Sequence, residues 1–416
     1  MNPMLRVFVS WRMAVVLLLG FSSGIPLGLS GDTLKAWMKT ENVDLTVIGV
    51  FSLVSLPYAL KFLWSPLVDR FVPPLLGRRR GWMLLAQLAV AAMLVPMAMT
   101  SPSRQPLLMA SLAMLVAFFS ATQDIAIDAY RTELLTEEEL GAGASLYTLG
   151  YRLAMIVSGG LALILADHMS WGHVYLIMAA CMAVGVAAAV LAPEPRLDVV
   201  GPTTLRQAVV QPFVEFVRRH GPLVSFEILL FILIYKLDVM MAQGMLSPFL
   251  LDIGFSTTDV GAVNKTFGLV ALIAGSLLGG ALMARMSLLR ALWIFGLVQG
   301  LSGLSFTALA LLGRNYPMLI TAIAVENACA GLGTVAFVAF IMSMCDKRFT
   351  ATQFALLTSV MGLSRVIGGT PTGYLAKAVG WPTFFLTATL VAVPGLLMLL
   401  RYKAWTAPKP SAGAAA

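Results

Sequence analysis

The sequence predicts an all-α membrane protein with twelve transmembrane helices in two halves of six, and three features carry that prediction. Apolar residues fill 59% of the 416 positions and charged residues only 12%, against averages of about 45–50% and 25% in soluble domains. Apolar stretches of about 20 residues recur along the whole chain, each long enough to cross a hydrocarbon core of roughly 30 Å as a helix. One polar stretch, residues 192–222, interrupts them near the middle.

The expected spans are 13–37, 46–63, 81–99, 107–129, 144–166 and 174–191, then 223–245, 258–283, 291–312, 316–345, 350–376 and 382–400. This divides the chain into an N-terminal half, 1–191, a linker, 192–222, a C-terminal half, 223–401, and a tail, 402–416. The first apolar stretch has no small-residue cleavage site and runs into Lys35, Lys39 and Glu41, so it reads as a retained span and not as a leader. The linker opens with Pro193, Glu194 and Pro195. It then carries an amphipathic helix over 203–219, with Leu205, Val209, Phe213 and Phe216 on one face and Pro212 as a point of bending, suited to the membrane surface.

Charge placement sets the orientation. With both termini in the cytoplasm, Arg6, Arg12, Arg70, Arg78, Arg79, Arg80, Arg131, Arg196, Arg206, Arg218 and Arg219 are cytoplasmic. So are Arg285, Arg290, Lys347, Arg348, Arg401, Lys403 and Lys409. The other side keeps only Lys35, Lys39, Arg104, Arg314 and Lys377, as the positive-inside rule requires. The net charge of +8 is accounted for by this distribution and calls for no nucleic acid.

An internal repeat supports the two halves. Asp44-Leu-Thr-Val-Ile-Gly49 enters the second span and Ser256-Thr-Thr-Asp-Val-Gly261 enters the eighth, with Thr46 and Thr258 as helix N-caps. Parallel six-span halves of this kind are a recurring transporter architecture.

Catalysis finds little support. His168, His173 and His220 lie in expected loops, and Cys181, Cys329 and Cys345 lie in apolar segments without metal-ligand spacing. No phosphate-binding glycine loop is present, so neither a cofactor nor ATP-driven pumping is expected. A non-transporting membrane sensor is the alternative from another class.

Two groups of residues are chemically unusual. After the second span comes Lys61-Phe-Leu-Trp-Ser-Pro-Leu-Val-Asp-Arg70, followed by Gly77-Arg-Arg-Arg-Gly-Trp82. Asp69 is placed to meet the N-terminus of a helix in the other half, where unpaired N–H groups favour an anion. Lys61, Arg70, Arg78, Arg79, Arg80 and Asp128 complete this expected cytoplasmic gate. Gly279, Gly280 and Arg285 hold the comparable place in the second half, with no acid to match Asp69.

The second group lies inside spans, where ionisable residues are costly and mark pathways or partners. At about 1.5 Å per residue, Asp124 lies roughly 9 Å, and Arg152 roughly 12 Å, from the same membrane face, so they are expected to pair, with Gln123 alongside. The second half adds Lys236, Asp238, Asn264, Lys265, Glu326, Asn327 and Arg365, where three bases against two acids leave positive charge for a carboxylate. Structural ion pairing is the competing explanation for each. In the first span, Gly20, Gly24, Pro26, Gly28 and Gly31 suit either an interrupted, site-lining helix or close helix packing.

The loop after the second span resembles the signature loop of the major facilitator superfamily. Together with Gln123-Asp-Ile-Ala-Ile-Asp-Ala129, Gly141-Ala-Gly143, Gly150-Tyr-Arg152, Val263-Asn-Lys-Thr266 and Ala351-Thr-Gln-Phe-Ala-Leu356, it resembles the AmpG muropeptide permease family. That resemblance implies the major facilitator fold in a bacterial cytoplasmic (inner) membrane. It implies proton-driven import of anhydromuropeptides, GlcNAc-anhydroMurNAc peptides, from periplasm to cytoplasm for peptidoglycan recycling. It further implies signalling of β-lactamase induction in some bacteria and no cofactor, with substrate, protons and membrane lipid as partners of a monomer. Longer members carry extra C-terminal hydrophobic segments, whereas this sequence ends in Ala407-Pro-Lys-Pro and a short tail. A neighbouring branch carries acetyl-CoA, which makes an anionic metabolite the alternative cargo.

Overall fold

The computed structural model describes residues 8–43, 47, 51–74, 76–195, 204–256, 259, 262–369 and 371–406. Every regular element among them is helical. Lipid offers the backbone no hydrogen-bond partners, so a spanning segment must pair its own N–H and C=O groups. Nine helices among the described residues are long and apolar enough to cross a membrane, and together they make a multi-pass membrane protein. They are Trp11–Thr40, Arg78–Met99, Pro106–Leu134, Leu140–Ala166, Trp171–Leu191, Thr266–Met283, Leu288–Leu312, Tyr316–Met344 and Trp381–Thr406.

The other expected spans are helical in pieces. The second is a series of short turns ending in the helices Leu56–Leu60 and Ser65–Arg70. The seventh comprises Pro222–Ile234 and Leu237–Asp252, interrupted at Tyr235 and Lys236 and longer than the sequence suggests. The eleventh comprises Thr350–Gly369 and Thr372–Val379. Thr46 and Thr258, expected as N-caps, lie outside the described residues.

Helix starts follow local chemistry. Ser10 accepts a bond from the Met13 N–H at 3.2 Å, and Ser170 and Ser287 cap in the same way. Pro106, Pro222 and Pro382 occupy first turns, where a missing N–H costs nothing. The first span breaks at Gly31 into Trp11–Ser30 and Asp32–Thr40. Wider turns of π-helix occur at Ile156–Leu161 and Asn264–Gly268.

The chain forms two compact units: Met1–Val209 with Cys345–Ala355, and Val210–Met344 with Leu356–Ala416. In the first, the span-one glycines are packing residues. A Cβ at Gly20 would lie 2.3 Å from the Tyr147 carbonyl oxygen, and one at Gly150 would lie 2.0 Å from that of Leu17. The first and fifth spans therefore touch backbone to backbone. In the second unit, Gly275 against Ala328 and Gly331 against Leu272 bring the eighth and tenth spans equally close. There Phe231, Phe340 and Trp405 also pack together, and Trp405 donates to Glu227 at 3.0 Å.

The linker helix, Leu205–His220, runs unbroken through Pro212. Its burial departs from the expected single apolar face: Ala208, Pro212 and Phe216 are buried, while Val209 and Phe213 are exposed beside Val210, Val214 and Val217. His220 ends this helix instead of lying in a loop, with its ring 5.1 Å from that of Phe216.

Candidate functional site

Among the described residues, three constellations of buried polar side chains stand out. The first centres on Asp69, on the short helix Ser65–Arg70, with its side chain fully buried. Asp69 Oδ1 accepts from Arg78 at 3.0 Å, Arg79 at 2.9 Å and the Ala351 N–H at 3.2 Å. Its Oδ2 accepts from the Thr352 N–H at 2.8 Å and the Thr352 hydroxyl at 2.7 Å. Ala351 and Thr352 open the helix Thr350–Gly369, so the carboxylate meets two of the N–H groups a helix start leaves unpaired. Arg79 continues to Glu133, its Nε 2.9 Å from Oε1, and Arg78 reaches the Arg348 carbonyl at 3.3 Å.

The rest of the arginine run serves elsewhere. Arg80 donates to the Ala189 and Val190 carbonyls, and Arg70 lies over the Phe71 ring. Glu194 accepts from the backbone N–H groups of Arg79 and Arg80, capping the helix Arg78–Met99. Of the expected gate residues, Asp69, Arg78 and Arg79 come together, and Lys61 and Asp128 form a separate pair at 3.3 Å. Asp128 also holds Arg131 at 2.7 Å, and the Arg131 guanidinium lies over the rings of Tyr147 at 4.2 Å and Phe354 at 5.3 Å.

The second constellation lies inside the first unit. Gln123 and Gln87 both donate to the Ser22 hydroxyl, at 3.0 and 3.3 Å. Their carbonyl oxygens, the Ser23 and Ser120 hydroxyls and Asp124 Oδ1 are buried without a hydrogen-bond partner. The expected Asp124–Arg152 pair is not formed. The charges that act on Asp124 are those of Lys61, Asp128 and Arg131, while Arg152 keeps its Nε unpaired. Matching depth along two helices leaves their rotation unspecified, and here it does not bring the two charges together.

The third constellation lies inside the second unit, at the break in the seventh span. Lys236 Nζ donates to Gln299 Oε1 at 2.5 Å and to the Thr334 hydroxyl at 3.3 Å. Gly333 makes room, since a Cβ there would lie 2.1 Å from Gln299 Oε1. Asp238, Gln299, Glu326 and Thr389 line a small pocket, and Ser302 lies 2.5 Å from Glu326 Oε2. Asn327 turns away to donate to the Ile323 carbonyl of its own helix at 2.8 Å. The side chains of Asn264, Lys265 and Arg365 lie outside the described residues. Among the described residues no group of His, Cys, Asp and Glu is arranged to hold a metal ion.

An all-helical chain with buried ionic networks in each of two units has the makings of a carrier, and sequence comparison decides the family. The profile of the Major Facilitator Superfamily matches residues 13–368 and, again, residues 228–416. The chain belongs to the major facilitator superfamily. Among its relatives, this facilitator is 48% identical to the anhydromuropeptide permease of Escherichia coli K12, over 95% of this chain and 80% of that protein. It is 39% identical to an uncharacterized Haemophilus influenzae protein over 95% of both chains. A Rickettsia bellii protein named as transporter AmpG 1 is 31% identical, over 95% of this chain and 99% of its own. These matches place the facilitator in the AmpG branch. Among solved structures, the human organic anion transporter MFSD10 (TETRAN) superposes with a TM-score of 0.63 at 17% identity, covering 96% of this chain and 100% of its own. A bacterial homologue of the iron transporter ferroportin, in an outward-facing state, gives 0.69 at 14% identity over 95% and 100%. Both show the shared facilitator fold.

Sequence reasoning about this facilitator missed Glu133 as the second acid on Arg79, Glu194 as a helix cap, and Gln299 and Ser302 as links in the second unit. Glu133 had a readable signal, because it follows Asp128 on one helix beside a basic cluster. Gln299 and Ser302 had none, being ordinary polar residues in an apolar span.

Proposed function

We propose that this permease imports anhydromuropeptides, GlcNAc-anhydroMurNAc peptides, from the periplasm into the cytoplasm by proton symport, returning cell-wall fragments for recycling. The observation that carries this reading is the 48% identity to the E. coli anhydromuropeptide permease, which extends over 95% of the chain. At that level and extent, the cargo of the relative is the best guide to the cargo here. The protein acts as a monomer in a bacterial cytoplasmic membrane with both termini inside, and its import step feeds any β-lactamase-inducing signal the fragments carry.

The buried chemistry supports the reading. A peptide-bearing sugar presents carboxylates, hydroxyls and amides, which match the unpaired Arg152 Nε and the unpaired carbonyl and hydroxyl oxygens around Gln123. Lys265 and Arg365, with Asn264, offer further cations and an amide in the second half. Asp124, Asp238 and Glu326 are the acids available to carry the proton. Asp69, with Arg78 and Arg79, acts as a cytoplasmic latch on the start of the helix Thr350–Gly369, and Lys61, Asp128 and Arg131 steady Phe354 beside it. Releasing those bonds opens the cytoplasmic side.

Uptake into inverted and right-side-out vesicles, comparing labelled anhydromuropeptide with acetyl-CoA and free sugars, tests the cargo. Saturable accumulation of the muropeptide alone is expected. Preferential uptake of acetyl-CoA, or binding without accumulation, would overturn the assignment in favour of a different carrier or a sensor.

A further inference from the structure

We infer that Asp238 and Glu326 form one proton-binding site that holds a single shared proton, exchanged through the pocket between them and balanced by Lys236. The inference rests on the proton-symport reading above and names the acids that would serve it in the second unit.

Three observations carry it. Asp238 is 5% exposed, Glu326 3% and Lys236 4%, so a cation and two acids lie together in a span region with almost no solvent. Two ionised carboxylates against one ammonium would leave a net buried negative charge, whereas one proton makes the group neutral. The second observation is a hydrogen-bond count. The Ser302 hydroxyl lies 2.6 Å from the Gln299 carbonyl oxygen and 2.5 Å from Glu326 Oε2, yet it has one hydrogen to give. Ser302 is placed to donate to either oxygen; its one hydrogen leaves one of the two contacts unmet while Glu326 is ionised, and a proton on Glu326, donated to Ser302, satisfies both. The third is the pocket, which has room for about one water molecule. Asp238 lines it with its Oδ1 buried and unpartnered.

The exchange balances without another reactant. Glu326 passes its proton to a water in the pocket while that water gives one to Asp238 Oδ1, so the charge moves and its total is unchanged. Lys236 is held by Gln299 and Thr334 and stays as the counter-charge to whichever acid is ionised. Among the described residues, the other titratable groups facing the pair are Tyr235, near Asp238, and Cys329, near Glu326. Tyr235 donates to the Leu292 carbonyl at 2.7 Å and is not a competing charge. The ninth and twelfth spans contribute only Gln299, Gly300, Gly303, Phe385, Ala388 and Thr389 to the pocket wall.

Infrared spectroscopy of the full chain in lipid at neutral pH, reading the protonated-carboxyl stretch, tests the idea. Asp238→Asn and Glu326→Gln are each expected to remove the same band, and the double variant no more than either alone, because the remaining acid ionises to balance Lys236. Lys236→Met is expected to add a second band of similar size. Survival of the band in Asp238→Asn would show Glu326 protonated by burial alone and overturn the shared proton. Its loss on adding Na⁺ at constant pH would make this a metal-cation site and overturn it as well. Should an acid variant not fold, Lys236→Met and the sodium titration still decide. Muropeptide uptake measured in parallel separates the two claims: uptake indifferent to a proton gradient defeats the symport reading, and an unchanged band in Asp238→Asn defeats this one.

Discussion

Asp69 carries the most specific chemistry of any single residue. Five donors converge on one fully buried carboxylate, two of them backbone N–H groups of a helix start. Replacing it with Asn removes the charge, leaves Arg79 buried beside Glu133 alone, and turns an amide NH₂ toward donors. Losing one partner of a buried ion pair costs about 3–5 kcal/mol, so Asp69→Asn is expected to lower vesicle uptake at least tenfold while the protein still inserts. Asp69→Glu, whose longer side chain misplaces the same charge, should recover only part. Glu41, at the end of the first span, behaves differently. Partial burial opposes its charge, but bonds from Ser101, Ser103 and Trp37 outweigh it and hold the carboxyl below its usual range. A depressed carboxyl stabilises the fold in full at neutral pH and loses that contribution only as pH falls through the depressed value. Thermal unfolding of Glu41→Gln should therefore differ from the wild type at pH 7 and converge with it in strong acid. Asp69 was legible from sequence because an acid followed by an arginine run at a span end has few uses. The Asp124–Arg152 pair was misread because depth is visible in a sequence and helix rotation is not.

Helices approach one another here through glycine, and that decides which substitutions the elements tolerate. A methyl group at Gly20 would sit 2.3 Å from the Tyr147 carbonyl oxygen, which is backbone and cannot swing aside. Gly20→Ala must then push the first and fifth spans apart, at about 1–3 kcal/mol as for other overpacked sites, and a lowered melting temperature in detergent should report it. Gly333→Ala tests something else, because its methyl would meet the movable ends of Gln299 and Lys236. There the melting temperature should hold while uptake falls, since the Lys236 anchor is displaced. The length of the apolar stretches located these spans well, since about 20 apolar residues have little choice in lipid. Sequence reasoning missed the break at Tyr235 and Lys236, where no proline or glycine marks the sequence and where Lys236 is buried against Gln299. It also put Val209, Phe213 and Phe216 of the linker helix on one face, whereas Val209 and Phe213 are exposed and Phe216 is buried.

Across the whole molecule, large apolar side chains such as Leu107, Val270 and Leu311 stand exposed along the spans, an arrangement stable only in lipid. Against that background, each buried charge needs a reason. One has a structural reason: Arg79 is held between Asp69 and Glu133. Others, Asp124 Oδ1, Asp238 Oδ1 and Arg152 Nε, are left without a partner, and these are the groups we propose for cargo and proton. If they work together, a passenger entering the permease must bring a proton with it. The direct measurement uses proteoliposomes loaded with a pH-sensitive dye, to which labelled anhydromuropeptide is added outside with no gradient imposed. The account predicts that the lumen acidifies in step with muropeptide uptake and that Asp238→Asn uncouples the two. Uptake that leaves the internal pH unchanged would contradict it.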